Sequence, residues 1–208
     1  GTALVTMDEA ILWTDGRYFL QAEKQLEGSP FVLYKMGEPG VPSLGEYLGE
    51  KLRKGDALGF DGKVVSLSMF EDLKNTLDDG VKIVSNRDLV AEIWVDRPKS
   101  KLSKAFVFGE EYAGESVASK IKVVRKHLKE KKADFTVIGA LEDVCYLFNI
   151  RGNDVKCNPV ITAYALVDSQ RAILFVSEVQ LNDEVRAHLR KEGVEIRDYN
   201  DVFDEVAK

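Results

Sequence analysis

The sequence predicts an α/β protein whose mixed sheets are flanked by helices. Short apolar segments rich in strand-forming residues, as at residues 10–13, alternate with amphipathic segments of helical period, as at residues 17–26. Paired strands joined by short polar turns, such as residues 7–9, interrupt this alternation and predict hairpins. Hairpins pair antiparallel and strand–helix–strand units pair parallel, so the sheets should contain both kinds of pairing.

The composition is that of a globular protein and argues against several classes of function. The net charge of −6 opposes a general role on nucleic acid or on an anionic membrane, because both need a basic face. No apolar run approaches the ~20 residues of a membrane span. The two cysteines, Cys145 and Cys157, are too few for a disulfide framework and favour a reducing, cytoplasmic setting.

A charged, proline-marked stretch at residues 96–101 predicts a linker between two domains, residues 1–97 and 98–208. The chain enters a strand at once and ends on a helix. We therefore expect the opening segment of the first domain to be missing and the end of the second domain to be truncated.

The first predicted domain begins with a hairpin formed by residues 4–6 and 10–13, followed by a helix over residues 17–26. Ser43 and Glu46 have the spacing of a capping box and start a helix that runs to residue 53. The remaining predicted elements are strands at residues 31–36, 57–60 and 81–84, a helix from Ser66 or Ser68 that closes at Gly80, and a short helix after Asp88.

The second predicted domain has a long amphipathic helix over residues 115–132, whose apolar positions recur at helical spacing. Further along the chain, strands at residues 161–167 and 172–176 form a predicted hairpin with a polar turn. The other predicted elements are strands at residues 135–138 and 194–197, helices over residues 141–148 and 181–192, and a last helix capped by Asn200.

Arg17 is the candidate ligand-binding residue, because it follows a strand and a tight turn at the start of a helix. A cation is unfavourable at that end of a helix, and ligands collect at such loops in α/β sheets. A guanidinium can hold a carboxylate with two parallel hydrogen bonds, which suits a peptide ligand. The alternative is that Arg17 forms a structural ion pair with Asp15 or with a neighbouring domain.

A second polar cluster, residues 149–154 with residues 158–160, has two interpretations. Its polar side chains and glycine suit a loop that docks on another surface. They equally suit a turn that satisfies its own hydrogen bonds.

Motifs for catalysis and metal binding are missing. His127 and His188 are the only histidines, and each lies on an amphipathic helix among charged residues, which is typical of a solvated face. No pattern for zinc, a nucleophilic serine or a phosphate loop occurs. We therefore predict no catalytic residue and no metal ligand in these 208 residues.

Several stretches together resemble Xaa-Pro aminopeptidase (aminopeptidase P), and the match is best with the three-domain cytosolic type. They are Gly-Thr-Ala-Leu-Val-Thr (1–6), Leu-Trp-Thr-Asp-Gly-Arg-Tyr-Phe-Leu-Gln-Ala (12–22), Asp-Leu-Val-Ala-Glu-Ile-Trp-Val-Asp-Arg-Pro (88–98), Tyr-Leu-Phe-Asn-Ile-Arg-Gly-Asn-Asp-Val (146–155), Asn-Pro-Val (158–160) and Tyr-Ala (164–165).

The resemblance implies two consecutive creatinase/prolidase N-terminal-like domains, with the catalytic pita-bread domain absent from these residues. That domain would hold two divalent metals, usually manganese, and remove the N-terminal residue of peptides with proline in second position. By the same resemblance, Arg17 matches a position that binds the substrate peptide. The implied partners are this peptide, the chain's own catalytic domain and a second copy in a homodimer, in the cytoplasm, with no nucleic acid and no membrane.

Two alternatives stay open at this point. The chain could be a stand-alone binding or dimerisation module that uses the same fold without peptidase activity. It could also be a relative of creatinase or prolidase with different chemistry.

Overall fold

A computed structural model describes all 208 residues, which form eleven strands and nine α-helices. The chain divides into two compact units, Gly1–Arg97 and Pro98–Lys208. Each unit is described by itself below. No helix in either unit is both long and apolar enough to cross a membrane.

The first unit contains a three-stranded sheet in the order β1-β2-β3. Its strands are β1 (Thr2–Val5), β2 (Ala10–Thr14) and β3 (Phe31–Lys35). The predicted hairpin pairs β1 with β2 antiparallel, and β3 adds parallel to β2 after a helix. The sheet is therefore mixed, as the sequence predicts.

The rest of the first unit consists of four helices and a parallel strand pair. The helices are α1 (Phe19–Leu26), α2 (Leu44–Lys51), α3 (Leu67–Thr76) and α4 (Leu89–Ile93), and the strands are β4 (Ala57–Gly59) and β5 (Lys82–Val84). Leu48 of α2, Leu58 of β4 and Leu73 of α3 form a small buried core. The apolar positions that the helical period selects thus face inward.

The helix caps of the first unit confirm two predictions and correct one. Ser43 and Glu46 form the complete capping box of α2, and Ser66 caps α3. Gly80 does not close α3, because the helix ends at Leu77, whose extended backbone stops the helical path. Gly80 lies in the next turn, where its N–H donates to the Asp78 carboxylate.

The second unit contains a four-stranded mixed sheet in the order β11-β10-β9-β7. The strands are β7 (Phe135–Ile138), β9 (Ala163–Asp168), β10 (Ala172–Val176) and β11 (Glu195–Arg197). β9 pairs antiparallel with both β7 and β10, whereas β11 pairs parallel with β10. Every side chain of β10 is buried, since both faces of the sheet are covered there.

The helices of the second unit are α5 (Glu110–Ala113), α6 (Val117–Lys131), α7 (Leu141–Leu147), α8 (Asp183–Lys191) and α9 (Asp201–Val206). The larger core joins α6, α7 and α8 to one sheet face through residues such as Val117, Val144 and Leu174. The other face carries Leu166, Ile173 and Phe175, which pack with Val202 of α9.

Sequence patterns miss α5 and the antiparallel pair β6 (Phe106–Val107) and β8 (Ile150–Arg151). These elements have two to four residues, too few to show a period. Asn200 occupies the N-cap position of α9 as predicted, but its side chain makes no capping hydrogen bond to the helix. Its amide instead donates to Asp198.

Candidate ligand-binding site at Arg17

The strand that leads to Arg17 is held by a buried aromatic cluster. Trp13, at the end of β2, is 2% exposed. Its ring lies 4.9 Å from that of Tyr34 and 5.5 Å from that of Tyr47, in edge-to-face contacts. The Trp13 Nε1–H donates to the carbonyl of Pro42 at 2.8 Å. The backbone just before the candidate residue is therefore rigidly positioned.

Arg17 itself lies in a single 3₁₀ turn, residues Gly16–Tyr18, which precedes α1. The sequence prediction put it in the first turn of an α-helix, so the helix begins two residues later than expected. Asp15 caps the 3₁₀ turn, and its carboxylate accepts the N–H of Arg17 at 3.1 Å. Turns of the 3₁₀ type are frequent at the N-termini of α-helices, and the Asp15 carboxylate satisfies an N–H that would have no partner within the helix.

Arg17 and Asp15 form a two-point ion pair. The Arg17 Nε donates to Asp15 Oδ1 at 2.8 Å, and Nη2 donates to Oδ2 at 3.0 Å. These hydrogen bonds hold the pKa of Asp15 down to about 2 and raise that of Arg17. Arg17 therefore does form the ion pair with Asp15 that the structural alternative predicts, although an ion pair this exposed adds little stability.

The ion pair still leaves the guanidinium available to a ligand. The Arg17 side chain is 81% exposed, and Nη1 has no partner in the chain. Tyr18 and Leu20 next to it are also exposed. Asp15 thus orients one edge of the guanidinium and leaves the other edge able to donate to a carboxylate or a carbonyl.

The side chains of the second polar cluster, residues 149–154, form hydrogen bonds within their own unit. Asn149, in a left-handed conformation with φ 51°, donates to the carbonyl of Glu115 and accepts from Lys120 Nζ at 2.7 Å. Lys120 is buried, which lowers the pKa of its ammonium, and lies 3.7 Å from the centre of the Tyr146 ring. Arg151 donates to the carbonyl of Cys145 at 2.7 Å.

Asp154 joins three distant parts of the second unit. Its carboxylate accepts the N–H and hydroxyl of Ser103, the N–H of Thr162 and the side-chain amide of Gln180. Burial raises the pKa of Asp154, but these hydrogen bonds outweigh it and the net pKa is lowered. These contacts support the second interpretation of this cluster, in which its polar groups are satisfied by hydrogen bonds within the fold.

The histidines and cysteines do not form a reactive group. His127 is exposed and contacts the carbonyl of Val123 on its own helix. His188 is not solvated as predicted, because it is partly buried and its Nε2 lies 2.9 Å from the carbonyl of Phe148. Both cysteines are free, and burial raises the pKa of the Cys145 thiol, which makes it unreactive.

The residues present do not fit a metal centre. No group of three or more His, Cys, Asp or Glu side chains is placed to hold a metal ion. A dinuclear hydrolytic site needs such a convergent set of ligands. Arg17, the candidate that the sequence indicates, has an exposed side chain.

Local sequence could not identify the long-range contacts around either polar cluster. The Trp13 partner Pro42 lies 29 residues along the chain, and the Ser103–Asp154 contact spans 51 residues. Only the capping motif around Asp15 gives a signal at short range.

Together these features define a two-unit α/β protein that presents one exposed arginine at a strand–turn–helix junction. Two family models match the chain, both for the creatinase/prolidase N-terminal domain, over residues 1–93 and 96–208. The chain therefore belongs to the creatinase/prolidase N-terminal domain family and contains two such domains.

Named relatives show which members of this family the chain resembles. A probable Xaa-Pro aminopeptidase P of Neurospora crassa is 40% identical over 98% of this chain, and aminopeptidase P2 of Arabidopsis thaliana is 39% identical over 98%. The chain spans only 30% and 29% of their lengths. The resemblance to Xaa-Pro aminopeptidases is thus confirmed for the part that the chain covers.

A solved structure supports the same relationship. The X-prolyl aminopeptidase of Caenorhabditis elegans is 35% identical to this chain and superposes with a TM-score of 0.90. The match covers 99% of this chain and 34% of the worm protein. That protein is described as a cytosolic enzyme with a di-nuclear active site.

Proposed function

We propose that these 208 residues are the non-catalytic N-terminal part of a cytoplasmic Xaa-Pro aminopeptidase. The parent enzyme would remove the N-terminal residue from peptides with proline in second position. It would use two divalent metal ions, for which we propose manganese. Similarity over nearly the whole chain to proteins of that name supports this proposal. The metals would lie outside these residues, which offer no cluster of ligands.

Within that enzyme, we propose that Arg17 binds the substrate peptide at the entrance to the active site. The observation that carries this role is an exposed guanidinium that is hydrogen-bonded to Asp15 on one edge and open on the other. The same part would contribute contacts to a homodimer.

The test is the kinetics of the longer enzyme with Arg17→Ala. We expect kcat/KM for proline peptides to fall about tenfold or more, because a hydrogen bond to a charged group contributes about 1.5–3 kcal/mol. Metal content should not change. Lys24→Ala removes another exposed cation, from α1, and should leave the kinetics unaltered.

Two further results sharpen this experiment. Arg17→Lys keeps the charge but loses the planar fork, so a partial loss would show that both charge and geometry matter. The effect should also depend on peptide length, since only some peptides place a carboxylate near Arg17. Unchanged kinetics of Arg17→Ala for every peptide length would leave Arg17 with a structural role alone.

A further inference from the structure

The charge of the Arg17 guanidinium is compensated, because Asp15 places an opposite charge beside it. The Asp15 carboxylate accepts the main-chain N–H of Arg17 at 3.1 Å, its Nε at 2.8 Å and its Nη2 at 3.0 Å. The first of these bonds is a helix-type cap, which keeps the carboxylate at this turn even when the guanidinium moves. A ligand that reaches Arg17 therefore meets two charges whose sum is zero.

This compensation does not change over the pH range in which enzymes work. The hydrogen bonds from the Arg17 side chain, followed by the one from its main chain, lower the pKa of Asp15 to about 2. The carboxylate is thus ionised in neutral and in mildly acidic solution, and an arginine stays protonated throughout. The net charge at this turn is set by these two residues and not by pH.

The side chains beside Arg17 do not restore a positive charge. Tyr18 and Leu20 are exposed there, and neither carries a charge near neutral pH. Lys35, at the end of the neighbouring strand β3, is itself paired with Glu23 at 2.6 Å. Acidic groups of ligands are typically bound by clusters of arginines. An arginine that is compensated and flanked by uncharged side chains fits an uncharged stretch of peptide better.

The N–H groups that remain on Arg17 suit a neutral acceptor. A guanidinium has five N–H groups, and Asp15 accepts one from Nε and one from Nη2. Both N–H groups of Nη1 and the second of Nη2 are left for a ligand. A carbonyl oxygen accepts these hydrogen bonds at little electrostatic cost. A ligand carboxylate is attracted by Arg17 and at the same time repelled by Asp15.

We propose that Asp15 is a specificity-determining residue, which makes Arg17 bind a peptide carbonyl about as readily as a carboxylate. Every residue of a peptide has a main-chain carbonyl, whereas carboxylates occur only at the C-terminus and on Asp and Glu. The substrates selected at this turn are therefore peptides of either charge beyond the proline. The role given to Asp15 rests on the contact proposed above between Arg17 and the substrate, and it specifies the chemistry of that contact.

Matched substrates test this role in the longer enzyme. Proline peptides of increasing length are each prepared as the free acid and as the C-terminal amide, so that the two members of a pair differ only in the charge at the end. The measured quantity is the ratio of kcat/KM for the acid to kcat/KM for the amide. Each variant is compared with the unaltered enzyme at the same peptide length, because other parts of the enzyme also contact the peptide.

Three variants should move this ratio in a pattern that follows the charge of the turn. Asp15→Asn should raise it about three- to fivefold, because asparagine keeps the cap and removes the negative charge. Arg17→Ala should lower it by a similar factor, since Asp15 alone repels the acid. The variant with both changes should return to the ratio of the unaltered enzyme, because its turn is again neutral. Added salt should reduce both shifts.

Glu23→Gln is the matched control. It removes an exposed carboxylate of α1 that also pairs with a cation, Lys35, so the net charge of the protein changes by the same amount as in Asp15→Asn. The ratio of acid to amide should stay at the value of the unaltered enzyme. Thermal melting should show that all four variants are folded.

The results distinguish this role of Asp15 from the proposed function itself. If Arg17→Ala leaves kcat/KM unaltered for acids and amides of every length, Arg17 does not contact the substrate and both proposals fail. If Arg17→Ala lowers kcat/KM but Asp15→Asn leaves the ratio unchanged, the contact stands and the specificity role of Asp15 is overturned. A rise in Glu23→Gln as large as that in Asp15→Asn would also overturn it.

Discussion

At the residue scale, the sequence predicts those features whose causes are local. The turn chemistry of Asp15 correctly indicates a cap, and the order strand, turn, helix correctly places Arg17 at an exposed junction. The pairing of Lys120 with Asn149 spans 29 residues and has no signal in sequence. Side chains that meet only after folding cannot be paired from composition or spacing.

Gly152 gives a prediction at this scale. A Cβ on Gly152 would overlap Cγ2 of the buried Ile161 and lie 3.0 Å from Oγ of Ser103. Gly152→Ala should therefore lower the free energy of unfolding of the second unit by about 1–3 kcal/mol, as for other overpacked sites. Urea denaturation measures this change.

Gly139→Ala is the control for Gly152→Ala in the same unit. An added Cβ there meets only Tyr164, at an ordinary contact distance of 3.5 Å. Its stability should stay within about 1 kcal/mol of the unaltered chain. Equal losses for the two variants would show that close packing at Gly152 is not the cause.

At the element scale, sequence patterns predict long or strongly patterned segments well. The strand at residues 135–138, the hairpin around residue 170 and the capping box of α2 all occur as expected. The end of α3 and the cap of α9 differ from prediction, because neighbouring backbone and side-chain contacts decide where a short helix stops. Helix termini depend on such contacts more than on the apolar period.

The last helix, α9, is tied to the sheet by a carboxylate with three cationic partners. Glu205 accepts from Arg171 at 2.9 Å, from Arg197 at 2.6 Å and from Lys208 at 3.2 Å. These bonds, led by the one from Arg171, lower the pKa of Glu205 to about 2. The network links the turn before β10, strand β11 and α9 within one unit.

Glu205→Gln should destabilise the second unit near neutral pH. A depressed folded-state pKa stabilises the fold at pH values above the unfolded pKa, near 4.5, and the effect disappears as the pH falls towards about 2. The melting temperatures of the two proteins should therefore converge over that acidic range. The difference should also shrink in high salt.

Asp204→Asn is the matched change on the same helix, because Asp204 is exposed and has no partner in the chain. It should alter the melting temperature less than Glu205→Gln at neutral pH. A gap between Glu205→Gln and the unaltered chain that stays constant from pH 7 to pH 2 would exclude the ion network as its source.

At the scale of the whole molecule, composition and periodicity lead to the α/β class and to mixed sheets, but not to a function. Motifs such as Trp-Thr-Asp-Gly-Arg-Tyr, at residues 13–18, connect the chain to Xaa-Pro aminopeptidases. The chain spans about a third of the length of those relatives. Under the proposed function, its residues contact the substrate peptide and the hydrolytic chemistry belongs to the rest of the enzyme. Local sequence patterns cannot predict which surfaces of the chain fit against the rest of an enzyme.

The most direct measurement is a cleavage assay of the purified 208-residue chain on an Arg-Pro-Pro peptide with added Mn²⁺. We expect no release of free arginine above a blank without protein, because the chain has no cluster of metal ligands. A longer Xaa-Pro aminopeptidase serves as the positive control. Arginine release that rises in proportion to the concentration of this chain, and stops when a chelator is added, would contradict the proposal that these residues are non-catalytic.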